Sequence, residues 1–125
     1  MLAEIGVYLA QKSIGTVGTD IFLGQMPDQP DSCIVLFEYA GSPPDLHWNG
    51  EYPGLQVRVR NKSYAAGRAK IKEVVTELHG VHELTLNGTR YLLIKARGSP
   101  EVLKRDNNNR VELFVNFEII KESDQ

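Results

Sequence analysis

The stretch Leu55-Gln56-Val57-Arg58-Val59-Arg60-Asn61-Lys62-Ser63, continuing as Tyr64-Ala65-Ala66-Gly67-Arg68-Ala69-Lys70-Ile71-Lys72-Glu73-Val74-Val75-Thr76-Glu77-Leu78-His79-Gly80, decides the fold class. Leu55, Val57 and Val59 alternate with Gln56, Arg58 and Arg60, the period-2 pattern of a half-buried strand with a basic outer face. The period then changes. Between Asn61 and His79, Ile71, Val74, Val75 and Leu78 stand at i, i+3, i+4 and i+7, which predicts the main helix. Asn61 or Ser63 can cap its start, Gly80 suits the position just past its end, and His79 lies favourably by its C-terminus. Gly67 costs about 1 kcal/mol against alanine inside a helix. With Ala65, Ala66 and Ala69 it forms a small-residue stretch suited to close packing, in the first instance against the chain's own sheet.

Downstream, Val81 to Leu86 and Thr89 to Ala96 flank Asn87-Gly88, whose positive φ angles make a type I′ hairpin turn. Residues 98–110 read as a long polar connection with a turn at Asp106 to Asn109. Val111 to Ile120 is the final strand, and residues 121–125 are expected to fray. Upstream, Leu2, Ile5 and Leu9, with Val7, Ala10 and Ile14 beside them, form a helical stripe that Gly15 and Gly18 should end. Ile21-Phe22-Leu23 is a short strand, 26–31 a loop, and Cys33-Ile34-Val35-Leu36-Phe37 a central strand covered on both faces. Residues 41–54, GSPPDLHWNGEYPG, contain three prolines and three glycines and read as an irregular loop that becomes ordered on assembly. The order α-β-β-β-α-β-β-β describes an α+β domain spanning 1–125, a mainly antiparallel sheet with two helices packed on it.

The 125 residues suit one domain, and 42% hydrophobic with 24% charged residues is ordinary globular composition. The lone Cys33 excludes an intrachain disulfide framework and a multi-cysteine zinc site, and within an apolar strand it reads as an inert small hydrophobe. His79 and His82 lack a clear third metal ligand. No phosphate-binding glycine loop or catalytic constellation is present, so neither an enzyme nor a cofactor or metal is expected. The amino-terminal residues show no basic segment before an apolar run, and no stretch approaches the ~18 apolar residues of a membrane span. A soluble, cytoplasmic-type protein without membrane contact is the expectation.

The net charge of −2 conceals a division. Residues 1–57 hold one basic residue against seven acidic ones, a net −6; residues 58–125 hold thirteen against nine, a net +4. Six cations, Arg58, Arg60, Lys62, Arg68, Lys70 and Lys72, fall in residues 58–72 without an acid among them. Arg68 and Lys72 are like charges at i, i+4, and only Lys70–Glu73 offers opposite charge within the helix. Folding can interleave the two halves. If they remain separate faces, the basic segment suits an acidic surface of a neighbouring subunit or a nucleic-acid backbone. Tyr64 is the only aromatic in that span, which disfavours base stacking. Trp48 and Tyr52 belong either to the core or to an interface.

Three blocks carry a family resemblance: Gly54 to Arg60, Ser63-Tyr64-Ala65-Ala66-Gly67-Arg68-Ala69, and Gly98-Ser99-Pro100 continuing to Arg105-Asp106 and Arg110 to Ile120. They resemble phage minor capsid proteins, a family similar to the tail terminator, or tail-to-head joining, proteins of long-tailed phages. Lys104 stands where that pattern has a glycine. The resemblance implies a non-enzymatic virion protein of the head–tail junction, assembled in the host cytoplasm. It implies a homo-oligomer, a hexameric ring once assembled from subunits that can be monomers in solution. Such a ring caps the tail tube protein, meets the head-completion connector protein, and lets DNA through its lumen without specific binding. Interface residues consistent with both readings are Trp48, Tyr52, Arg58, Arg60, Arg68, Lys72, Arg105 and Asp106. The alternative is a small nucleic-acid-binding domain using residues 58–72.

Overall fold

The computed structural model describes residues 1–123. The elements run α1 (Leu2–Gln11), β1 (Ile21–Leu23), β2 (Cys33–Ser42), β3 (Gly50–Asn61), α2 (Tyr64–Leu78), β4 (Val81–Leu86), β5 (Thr89–Ala96), β6 (Glu101–Arg105) and β7 (Val111–Glu122). All seven strands join one sheet in the order β1-β2-β3-β7-β5-β4, with β6 also paired to β7. Only β1 runs parallel to its neighbour. This is the expected α+β fold in the expected order, with β6 added.

Alternation along the strands divides the sheet into two faces. Ile34 and Leu36 of β2, Leu55, Val57 and Val59 of β3, and Leu113, Val115 and Phe117 of β7 point to one side and are buried there. Ile5 and Leu9 of α1 and Ile71, Val74 and Leu78 of α2 complete that core, so both helices cover the same face. Ser63 caps α2 by accepting from the Ala66 N–H at 3.2 Å, and Gly80 follows at φ 85°. Asn87 and Gly88 take φ 49° and 82°, as the hairpin turn requires. Cys33 and Val35 lie on the other face and are also buried, so β2 is covered on both sides. Burial pushes the Cys33 thiol pKa up, which keeps it protonated and inert.

Four boundaries differ from the sequence reading. Helix α1 stops at Gln11, before either glycine, because Ser13 itself takes the left-handed conformation at φ 63°. Residues 41–42 belong to β2 and 50–54 to β3, so the irregular connection between them is only 43–49. Residues 98–110 contain β6, paired antiparallel to β7 from Glu101↔Phe114 to Arg105↔Val111. Lys121 and Glu122 continue β7 rather than fraying, and Lys121 is 2% exposed with its Nζ 2.9 Å from Glu51 Oε1. The rest of the expected frayed tail, residues 124–125, lies outside the described residues.

Gly67 is buried, and a Cβ there would stand 3.0 Å from Leu113 Cδ1. The small-residue stretch therefore lets α2 approach β7. Gly67→Leu should push the two apart and cost about 1–3 kcal/mol of stability, as overpacked cores do. Denaturant unfolding checks this; an unchanged midpoint would show that α2 does not depend on the contact.

Candidate interface surfaces

The connection between β2 and β3 has its own architecture. Asp45 Oδ2 accepts from the Tyr52 hydroxyl at 2.6 Å, and Asp45 Oδ1 accepts from the His47 N–H at 2.7 Å. The Trp48 indole N–H donates to the Tyr52 oxygen at 3.0 Å, and the two rings meet edge to face at 76°. The Asp45 N–H donates to the Gly50 carbonyl and the Gly50 N–H to the Trp48 carbonyl. Gly50 is needed here, because a Cβ would stand 2.0 Å from the Trp48 ring. Trp48 and Tyr52 are thus brought together, half-buried, as braces of the loop. Leu46, which the sequence reading passed over, stands 93% exposed at the loop's apex.

The Tyr52 hydrogen bond, then the His47 N–H, holds the Asp45 carboxyl below its ordinary range. The same bond to Asp45 pushes the Tyr52 phenol up.

A second constellation surrounds Arg60 and Arg110, each 3% exposed. Arg60 donates to the carbonyls of Asp28, Pro30 and Asp31. Arg110 donates to the Asp28 carbonyl, to the carboxylates of Asp28 and Asp31, and from Nε to Asp106 Oδ2 at 2.8 Å. Asp106 also accepts the backbone N–H groups of Asn108 and Arg110. Burial raises its carboxyl pKa, but the Arg110 and Asn108 donors outweigh burial and hold it low. Arg105 is exposed and, among the described residues, donates to Asn109. Arg60 and Asp106 thus meet in one clamp on the 28–31 turn, a role for which the strand period gave Arg60 no signal.

Of the remaining residues of the basic segment, Lys62 reaches the clamped turn and the others lie apart from it. Arg58 lies on the face away from the helices, 4.8 Å from the Phe37 ring centroid, with its Nε 2.7 Å from Gln56 Oε1. On α2, Arg68 donates to the Pro100 carbonyl at 2.9 Å, Lys70 pairs with Glu73 at 3.1 Å, and Lys72 is exposed. Lys62 pairs with Asp31 at 3.4 Å. The charge division is therefore partly closed within the subunit, since Asp28, Asp31 and Glu51 of the acidic half meet Arg110, Lys62 and Lys121 of the basic half. His79 Nδ1 accepts from the Ala96 N–H, and His82 contacts the Gly80 carbonyl. No group of three or more metal-ligating side chains forms among the described residues.

A family model described as bacteriophage tail terminator protein matches residues 8–123. The chain belongs to this tail terminator family. Among solved structures it is similar to a chain of the virion of a native gene transfer agent particle. That likeness has 17% identity, covers 94% of this chain and 85% of the other, and has a TM-score of 0.67, so it is a likeness of fold. No curated protein matches the chain.

Two outcomes follow for this terminator-family chain. Trp48 is its only tryptophan, so its fluorescence reports the loop. Asp45 is depressed in the folded state, so its stabilising effect is present above the ordinary value of 3.8 and is lost as pH falls below it. Tyr52→Phe removes the largest cause of the depression and should move the acid transition of Trp48 fluorescence to higher pH. In the clamp, Arg110→Ala removes the buried guanidinium that ties Asp106 to the 28–31 turn and should lower Tm markedly, whereas Arg105→Ala should leave Tm unchanged in thermal unfolding.

Proposed function

We propose that the chain acts as a tail terminator in the full sense: a non-enzymatic virion protein that assembles as a six-subunit ring. The ring caps the finished tail tube, stops its growth and presents the head-completion connector with a docking surface. DNA passes through the lumen without specific recognition. The observation that carries this reading is the family match across 8–123, which spans nearly every element of the fold. The absence of a membrane-spanning helix among the described residues and the braced loop at one sheet end are compatible with it.

The competing reading, nucleic-acid binding through 58–72, loses ground to the side-chain geometry. Arg60 is buried, Arg58 lies against Phe37, and Lys62, Arg68 and Lys70 all have partners within the chain. A phosphate backbone would have to displace these contacts. Of the interface residues, the exposed Lys72 and Arg105 remain the cations best placed to orient a neighbouring subunit or the tube, with the half-buried Arg68 one turn from Lys72 on α2. Exposed pairs of that kind contribute about 0.2–1 kcal/mol each and guide docking more than they hold it.

The test is genetic and visual. Removing this gene from its phage should leave tails of uncontrolled length that do not join heads, and supplying the chain in trans should restore uniform virions. Electron microscopy reads the outcome; uniform, headed tails without the chain would overturn the assignment. Arg68→Glu with Lys72→Glu should leave a folded chain that restores fewer virions.

A further inference from the structure

The braced loop presents one apolar side chain to solvent, and the same molecule carries an apolar recess that none of its own side chains fills. The recess lies between α1 and the β4–β5 hairpin tip, has a volume of about 430 Å³, and is lined by Ala3, Val7 and Leu86 with a polar rim of Glu4, Gln11, Thr85 and Asn87. Val7 on its wall is 51% exposed. The knob is Leu46, 93% exposed between Asp45 and His47. We infer that Leu46 of one copy seats in the α1–hairpin recess of the next copy, and that this contact joins neighbouring subunits of the ring.

Three features point to a second copy as the occupant. The first is position. Gly50 at the base of the loop pairs with Glu122, and Tyr91 near the start of β5 pairs with Lys121, so loop and hairpin tip lie at the same end of the sheet. They lie on opposite flanks, the loop joining β2 to β3 and the hairpin forming the β4 side. Rotation about an axis along the strands keeps copies at one height and brings one flank beside the other, which is the heterologous geometry that closes rings.

The second is charge. His47, next to the knob, has an exposed ring with no partner among the described residues, and Glu4 lines the recess with one carboxylate oxygen already accepting the Tyr91 hydroxyl. The third is preorganisation. Asp45, Trp48 and Tyr52 fix the loop before any partner arrives, so docking need not order it.

This inference rests on the ring reading, and paired cysteines separate the two. Cys33 is buried and does not compete. Leu46→Cys and Val7→Cys chains, mixed and oxidised at rising concentration, should give a 46–7 crosslink identified by peptide mass spectrometry. A chain carrying both changes should give a ladder ending in a covalently closed ring. Leu46→Asp should keep the fold and weaken self-association about tenfold or more, as loss of an apolar anchor does.

Crosslinks at 46–46 alone, or 46–7 yields no higher than with Asn107→Cys, an exposed position at the other end of the sheet, would overturn the contact. So would the absence of a 46–7 crosslink both in solution up to the solubility limit and in tails completed by the chain carrying both cysteines. If native mass spectrometry still finds a closed ring in those cases, the ring reading survives and only this contact falls. Ladders that never close would leave the contact and remove the ring.

Discussion

The pairing of β3 with β7 is the constraint on which the other elements hang. The two strands run antiparallel from Gly50↔Glu122 to Asn61↔Val111, nearly their whole length. β2 takes the free edge of β3. β7 is long enough to carry two strands end to end on its other edge, β5 against its second half and β6 against its first. The jog between β5 and β6 keeps the ladder through the Arg97 N–H on the Asn116 carbonyl, and Arg68 of α2 holds it at the Pro100 carbonyl. Because side chains alternate, this one register decides which residues of β2, β3, β5 and β7 reach the helices. A slip of a single residue would exchange the faces.

The two faces are held by different chemistry. Under the helices the contacts are apolar, with Leu55, Val57, Leu113, Val115 and Phe117 packed against α1 and α2. On the other face, Arg60 and Arg110 pull the 28–31 turn against β3 and the β6–β7 turn. A buried guanidinium is costly unless its donors are met. Here backbone carbonyls and carboxylates meet them, and no buried side-chain polar atom among the described residues lacks a partner. The clamp adds specificity to what apolar packing alone would leave open. Only one register of β3 and β7 places Arg60 beside Glu112 and follows it with Arg110 at the strand's entry.

Periodicity made β3, α2 and the Asn87-Gly88 hairpin legible, because each follows from local pattern. What local pattern missed was imposed from outside the segment. β6 reads Glu101-Val102-Leu103-Lys104-Arg105, every residue is exposed, and no alternation marks it. It is a strand because β7 offers it an edge. The ends of β2 and β3 hid behind proline and glycine, yet each has a local reason there. A Cβ on Gly41 would stand 1.9 Å from the Tyr52 carbonyl oxygen, Gly54 lies against the Tyr39 ring, and Pro53 falls where the β3–β7 ladder skips. Arg60 does point away from the helices as its period says. Its burial comes from a turn some thirty residues upstream, which no strand pattern encodes.

In the 43–49 loop, residue type alone does not say which side chain is left free to meet a partner. Trp and Tyr are the side chains expected at the centre of an interface, because they bury large areas at small entropic cost. The same properties make them good braces. Here Trp48 and Tyr52 face each other across Gly50 and fix Asp45, so their apolar surface is partly covered inside the subunit. Pro43 and Pro44 restrict the approach to the loop, since each locks φ. Once the aromatics are engaged internally, the free apolar surface passes to the residue they hold aloft, Leu46. A mobile loop would have to lose its backbone freedom on docking, about 1–2 kcal/mol for each residue ordered. A loop braced during folding has already lost it. In a subunit that meets its partners late, a single fixed aliphatic side chain can therefore contribute more to docking than a larger aromatic on an unordered segment.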